Sequence, residues 1–295
     1  MERKNLGQLI AALRRERLDK HLSPWTRQHF ARESGIDQEI LANIETGRRA
    51  IFYPDLLLKL AEALQLTSVE RREFFLAASG VDEGDMYLRR RNTGETLHSL
   101  LALMGQLQAP AFLVDQYWDM VAINQAIIEI YNTRPEVLLN PASNPATRFN
   151  MMRVLFSDEF SAQKAMLGNG WEQFAIESAM LFRASSLRYR ATDYFQFLYP
   201  QLCEFDDFRN YIQRKPRDDT FLDNMFITLD NPRLGLIRTI STSLVAATTE
   251  GELTLSTFTP LDPQTVQIFA NICAQGNPVL TIFPHWPDKS TIFLA

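Results

Sequence analysis

Over the first eighty positions, apolar residues recur every three or four places, in stripes short enough for small helices. Leu6, Leu9, Ile10 and Leu13 form one stripe; Leu56, Leu57, Leu60, Ala61 and Leu64 form another, behind a Pro54 that suits a first helical turn. Between them, residues 25–49 predict two helices meeting at a glycine. Thr26 caps the first, whose Phe30, Ala31 and Ser34 share a face, and Gly35 supplies the left-handed residue that ends it. Asp37 caps the second, with Ile40, Leu41 and Ile44 turned inward, and Ala31 is small enough for that helix to pass over it. Residues 69–79 predict a fifth helix, with Gly80 as its stop. The spacing is that of a helix-turn-helix, with Gln38, Glu39, Ala42 and Asn43 left outward on the second helix. A helical hairpin without a nucleic-acid partner shares this outline; the flanking stripes weigh against it.

Residues 81–96 have two glycines, no apolar period and the run Arg89-Arg90-Arg91, which reads as a domain boundary, solvated or touching phosphate. A helix over 95–107 carries Leu97, Leu100, Leu101 and Met104 on one face, and joins the domains or pairs with its own copy. After Pro110 the period changes. Residues 111–114 and 120–123 predict two short strands around the polar turn Asp115 to Asp119, and Asn124 starts a helix. Helical spacing returns through Trp171, Phe174, Ala175, Ser178, Leu181 and Phe182, then Phe195, Leu198, Tyr199 and Leu202, then Phe205, Phe208 and Ile212. Residues 225–229, 236–247 and 252–259 alternate as half-buried antiparallel strands do, with Thr249-Glu250-Gly251 as a hairpin turn. Asp262-Pro263 caps a last helix, and residues 279–283 and 291–294 can each add a strand. The expected class is therefore α+β: an all-α helix-turn-helix domain (1–82), a linker and connecting helix (83–108), and an antiparallel sheet with a large helical insertion (109–295).

Two resemblances follow from particular segments. Ala31, Gly35, Ile44-Glu45, Gly47-Arg48-Arg49 and PDLLLKLAEALQL make about residues 4 to 80 similar to the phage-repressor-like, Cro-like DNA-binding domain. APAFLVDQYWDMVAIN (109–124), Asn150-x-x-Arg153-x-x-Phe156, Trp171, Phe182-Arg183 and DNPRLGLI (230–237) resemble the MmyB-like transcription regulators. That resemblance implies a PAS-like ligand-binding domain. Two departures stand out: Phe149 separates Arg148 from Asn150, and Arg27 sits where the DNA-binding family often has glutamine.

The net charge of −5 is unevenly spread. Residues 1–92 hold 16 Lys+Arg against 14 Asp+Glu, or +2, which leaves 14 against 21, or −7, for the remainder. The acidic part is the C-terminal one, so nucleic acid is expected on the other. No apolar run reaches the ~20 residues of a membrane span, so no membrane partner is expected. Cys203 and Cys273, far apart, read as buried free thiols of a reducing cytoplasm.

No catalytic constellation emerges, and an enzyme is not expected. His21, His29, His98 and His285 are scattered, without metal-ligand spacing, and His29 reads as a solvated surface residue. Asp206-Asp207 and Asp218-Asp219 read as solvated loops. For DNA, Gln38 and Asn43 can read base edges, Glu39 can accept from a cytosine amino group, Gln28 and Ala42 flank them, and Arg27, Arg48 and Arg49 can neutralise phosphates. The working unit is expected to be a homodimer on a pseudo-palindromic operator of double-stranded DNA. No cofactor is required, but a small apolar ligand, a fatty acid as the best guess, is expected against Phe112, Trp118, Val121, Phe182, Phe226, Leu244 and Phe258. Arg153 and Arg183 stand in apolar helical segments, where each could hold a ligand carboxylate or close a structural salt bridge. A dimeric interaction protein, in which the sheet only dimerises and DNA binding is weak or absent, is the alternative.

Overall fold

A computed structural model describes residues 3–48, 52–79, 92–138, 144–214, 225–274 and 279–283, with Trp286 and Lys289. The chain divides into two compact units. The first comprises Met1–Arg89, Leu181–Gln196 and Ile212–Asp219; the second comprises Arg90–Met180, Phe197–Tyr211 and Thr220–Ala295. Gly80, Arg89 to Arg91, Asp218-Asp219, His285 and the expected strand over 291–294 lie outside the described residues.

The first unit begins with α1 (Arg3–Glu16), α2 (Arg27–Ser34), α3 (Gln38–Glu45), α4 (Pro54–Ala63) and α5 (Ser68–Ser79). Their inward stripes meet in one core, where Leu9, Ile10, Phe30, Leu41, Ile44, Leu60, Ala61 and Phe74 have no exposed surface. Leu187, from a stretch more than a hundred positions further along, lies in that same core. The predicted punctuation is present. Thr26 Oγ1 accepts from the His29 amide at 3.1 Å, Gly35 has φ of 63°, and Asp37 Oδ1 accepts from the Glu39 amide at 2.7 Å.

The second unit opens with α6 (Thr93–Met104) and the hairpin β1 (Ala111–Asp115) and β2 (Met120–Asn124). The helical insertion follows: α7 (Gln125–Tyr131), α8 (Pro135–Leu138), α9 (Met151–Phe156), α10 (Ser161–Leu167), α11 (Trp171–Ser185), α12 (Asp193–Leu202) and α13 (Asp206–Ile212). Some of its residues, including the last turn of α11, count with the first unit. Then come β3 (Met225–Asn231), β4 (Gly235–Thr248), β5 (Gly251–Pro260), α14 (Pro263–Cys273) and β6 (Leu280–Ile282). All six strands form one antiparallel sheet in the order β3-β4-β5-β1-β2-β6. The early hairpin thus sits beside the late strands, and the tail adds the sixth. Asn124 caps α7 through the Ile127 amide at 3.2 Å while its side chain also ties Ala109 and Ala111 to the start of the sheet.

Helix α6 packs on one face of the sheet, with Leu100 and Met104 buried against Ala111, Leu113, Leu253 and Leu255. One expectation needs correcting. Both cysteines are free but half-buried rather than buried.

Candidate functional site

In α3 the buried side chains and the outward ones divide cleanly. Leu41 and Ile44 have no exposed surface, Gln38 and Glu39 are exposed, and Ala42 and Asn43 are half-buried. Arg27, Gln28 and Arg48 are exposed; Arg49 lies outside the described residues. Arg27, at the first position of α2, donates from Nε to Glu45 Oε2 at 2.6 Å. Glu45 also takes a two-pronged bond from Arg14, at 2.7 and 3.0 Å. Burial works against the Glu45 carboxylate, but hydrogen bonds from Arg14 and Arg27 outweigh it and hold its pKa below the usual range. Arg27 therefore has a partner inside the domain, at the last residue of α3. His29 is half-buried and stacked on Trp25, with ring centroids 4.7 Å apart, instead of standing in solvent.

The expected ligand residues do not form one lining. Phe112 and Phe258 meet edge to face at 6.0 Å, and Tyr131 meets Phe258 at 6.3 Å. Around them lie Ile130, Met166, Ile227, Leu229, Ile237 and Phe269, with Phe174 of α11 packed alongside. Tyr131, Met166 and Phe269 were missing from the expected lining. Tyr131 ends α7 and Phe269 lies on α14, and burial pushes the Tyr131 phenol above its usual pKa. Val121 lies on the opposite face, in the cluster covered by α6. A bulge explains this: Leu113 pairs with Ala122 but Val114 with Met120, so Val121 is the extra residue and turns to the same side as Ala122.

Phe226 and Leu244 are 66% and 50% exposed. Leu244 pairs with Leu255 on the face that carries α6. Trp118 is half-buried at the tip of the β1–β2 turn with φ of 62°. Phe182 belongs to the first unit, stacked on Phe195 at 6.1 Å.

Both candidate head-group arginines have protein partners. Arg153, 3% exposed, donates to Glu159 Oε2 at 2.6 Å and to the Arg148 carbonyl at 2.7 Å. Arg183 belongs to the first unit and donates to Glu70 Oε1 at 2.8 Å and the Gln65 carbonyl at 2.6 Å. In both, the structural salt bridge is the arrangement found.

One charged cluster went unanticipated. Lys289 Nζ lies 2.6 Å from both Asp115 Oδ2 and Asp119 Oδ2. Asp115 Oδ1 accepts from the amides of Tyr117 and Asp119, and Asn150 Nδ2 donates to the Tyr117 carbonyl and Asp119 Oδ1, both at 2.8 Å. Burial chiefly raises Asp115 to about 6, with Asp119 adding to it and Lys289 opposing. For Lys289, burial disfavours the cation, but the two carboxylates prevail and raise its pKa. The cluster fastens the tail and α9 to the β1–β2 turn.

Among the described residues, no group of three or more His, Cys, Asp or Glu is placed to hold a metal ion, and no helix is long and apolar enough to cross a membrane. Compared with protein families, residues 95–271 match the model described as the MmyB-like transcription regulator ligand binding domain. No curated protein matches the chain.

Proposed function

The chain belongs to the family of the MmyB-like transcription regulator ligand binding domain, and on that premise we propose a sequence-specific DNA-binding regulator whose second unit senses a small apolar ligand. The observation that carries the DNA reading is the division of α3, with Leu41 and Ile44 locked into the core and Gln38, Glu39, Ala42 and Asn43 on the outer side. Amides at Gln38 and Asn43 can donate and accept at once, as adenine recognition requires. Arg48, with Arg49 beside it in sequence, neutralises phosphate, and Arg27 is held by Glu45 where it can join them. One small domain offers limited contact area, so the working form is a homodimer on a two-fold operator.

Asn43→Ala relaxes specificity at one base pair by ~1–3 kcal/mol, while Arg48→Ala weakens all duplexes alike. Equal losses on specific and random duplexes for both variants refute these roles. A protein showing no salt-dependent binding to genomic fragments is an interaction module instead. Sedimentation as a monomer at micromolar concentration, with and without operator, refutes the dimer.

For the second unit, the apolar cluster around Phe112, Tyr131 and Phe258 supports an acyl chain as ligand, with a fatty acid the best candidate. Burial gains ~0.8 kcal/mol per methylene. Delipidated protein melts lower and regains stability with added dodecanoic acid by mass action. No thermal shift at saturation removes the fatty acid from the proposal.

A further inference from the structure

The first unit contains carboxylates on α1 and α5 whose ion-pair partners include arginines from far along the chain. Glu70, on α5, is buried to 1% side-chain exposure and its ion-pair partners among the described residues are Arg183 and Arg190. Glu16, the last residue of α1, pairs with Arg190, and its carbonyl accepts from Gln213 Nε2 at 2.7 Å. Glu73, also on α5, is shared between its neighbour Arg72, at 3.2 Å, and Arg188. The same stretch inserts Leu187, fully buried, into the helical core. Thus Leu181–Gln196 supplies three cations and an apolar plug to a domain encoded more than a hundred residues earlier. A carboxylate as buried as Glu70 is costly without its counter-ions, so docking of the segment stabilises the helical domain.

The segment is also close to the DNA-reading helix in bonding terms. Glu16 bonds Arg190, and two residues earlier Arg14 holds Glu45 at the last position of α3. At its other end the segment continues from α11, where Phe174 packs on the apolar cluster of the second unit.

We propose that Leu181–Gln196 is a built-in docking partner of the helix-turn-helix unit, and that DNA affinity depends on its being docked. This rests on the DNA-binding reading above. The surface that receives it is acidic (Glu16, Glu70 and Glu73), and the partner it fits is this basic, leucine-bearing turn of the same chain.

The test uses the full chain and the least buried of these pairs, Glu73 with Arg188. Glu73→Arg sets like charges against Arg188 as well as its exposed neighbour Arg72, and the double variant E73R/R188E restores the pair across to the segment in reverse. Hydrogen exchange at Leu187–Tyr189 and along Ser68–Ser79 reports docking, and titration with genomic fragments reports affinity. E73R is expected to lose protection in both stretches and to bind DNA roughly five- to a hundredfold more weakly, the usual range of coupling between sites; the double variant regains both. E73R with lost protection but wild-type affinity overturns the inference, as does unchanged protection. A wild type that binds no DNA defeats the earlier reading itself, whereas a wild type that binds and an undocked variant that binds equally well defeat only this one.

Discussion

Gly7 lies on the buried side of α1 where that helix crosses the end of α3. A β-carbon there would fall 3.2 Å from the Glu45 carbonyl oxygen and closer still to that of Ile44. Both are backbone atoms, and the side chains of Leu41 and Ile44 pin that stretch into the core with no exposed surface. Gly7→Ala therefore forces the helices apart by about 1 Å, loosening the contacts each methyl group had made. Alanine favours the helix itself by ~1 kcal/mol over glycine. Overpacking of a close-packed crossing costs ~1–3 kcal/mol, and here the obstacle is backbone that cannot rotate away. With that cost in the upper part of its range, the balance is a net loss of about 1–2 kcal/mol, at roughly 4 °C of melting temperature per kcal/mol for a unit of this size.

Circular-dichroism melts of the full chain measure this. Gly105→Ala is the control, because Gly105 has φ of −67° and its added carbon meets the Leu101 carbonyl at an ordinary 3.5 Å. That change is neutral or stabilising by ~0.4–1 kcal/mol. DNA affinity separates displacement from unfolding: at a temperature where Gly7→Ala is fully folded, it should still bind genomic fragments more weakly than wild type. Melting at or above the wild-type temperature with unchanged DNA binding refutes the crossing argument.

Lys289→Met takes the Lys289 ammonium from the buried Asp115 and Asp119, a change of the kind that costs ~3–5 kcal/mol at neutral pH. Since burial already raises Asp115 to about 6, protonation below that pH relieves the repulsion. The folded pKa is above the unfolded one, so this carboxyl favours folding at acid pH and that contribution is lost as pH rises through 6; the variant's deficit in urea midpoint therefore shrinks from pH 8 to pH 5. Arg153→Met strands the Glu159 carboxylate and two carbonyl acceptors and lowers the melting temperature, while affinity for dodecanoic acid stays within twofold, by calorimetry. Thr26→Ala removes the cap of α2 and costs ~1 kcal/mol in the same melts.

The helical domain and the sheet were legible because their signals are local. A cap, a left-handed glycine and an apolar stripe act within a few residues, so Thr26, Asp37 and Asn124 cap their helices and Gly35 ends one, as expected. The alternation of residues 236–247 likewise anticipates a strand, observed as Gly235–Thr248. What alternation does not carry is the bulge at Val121, which depends on how β2 registers against β1 and which turns one side chain to the other face. Nor does it distinguish a sheet face that is covered from one that is bare. Phe226 and Leu244 alternate as well as any core residue, yet each keeps at least half of its surface exposed.

The arginines show where local reading stops. An arginine on an apolar helical face must find a carboxylate or carbonyls, and neither periodicity nor spacing says whether they come from a ligand or from the chain. For Arg153 the partner is six positions away, within one local fold, and Glu159 was there to be considered. For Arg183 the partner is Glu70, 113 positions earlier. Glu70 in turn stands in the first turn of α5 beside Arg71 and Arg72, and nothing local distinguishes it from a surface acid. Only the three-dimensional return of the chain makes both residues intelligible. That return also changes what a fatty acid would encounter in the second unit. With Arg153 bonded to Glu159 and Arg183 to Glu70, an acyl ligand there would be selected mainly by its chain against Phe112, Tyr131 and Phe258, and the discrimination between chain lengths should exceed that between a carboxylate and its alcohol.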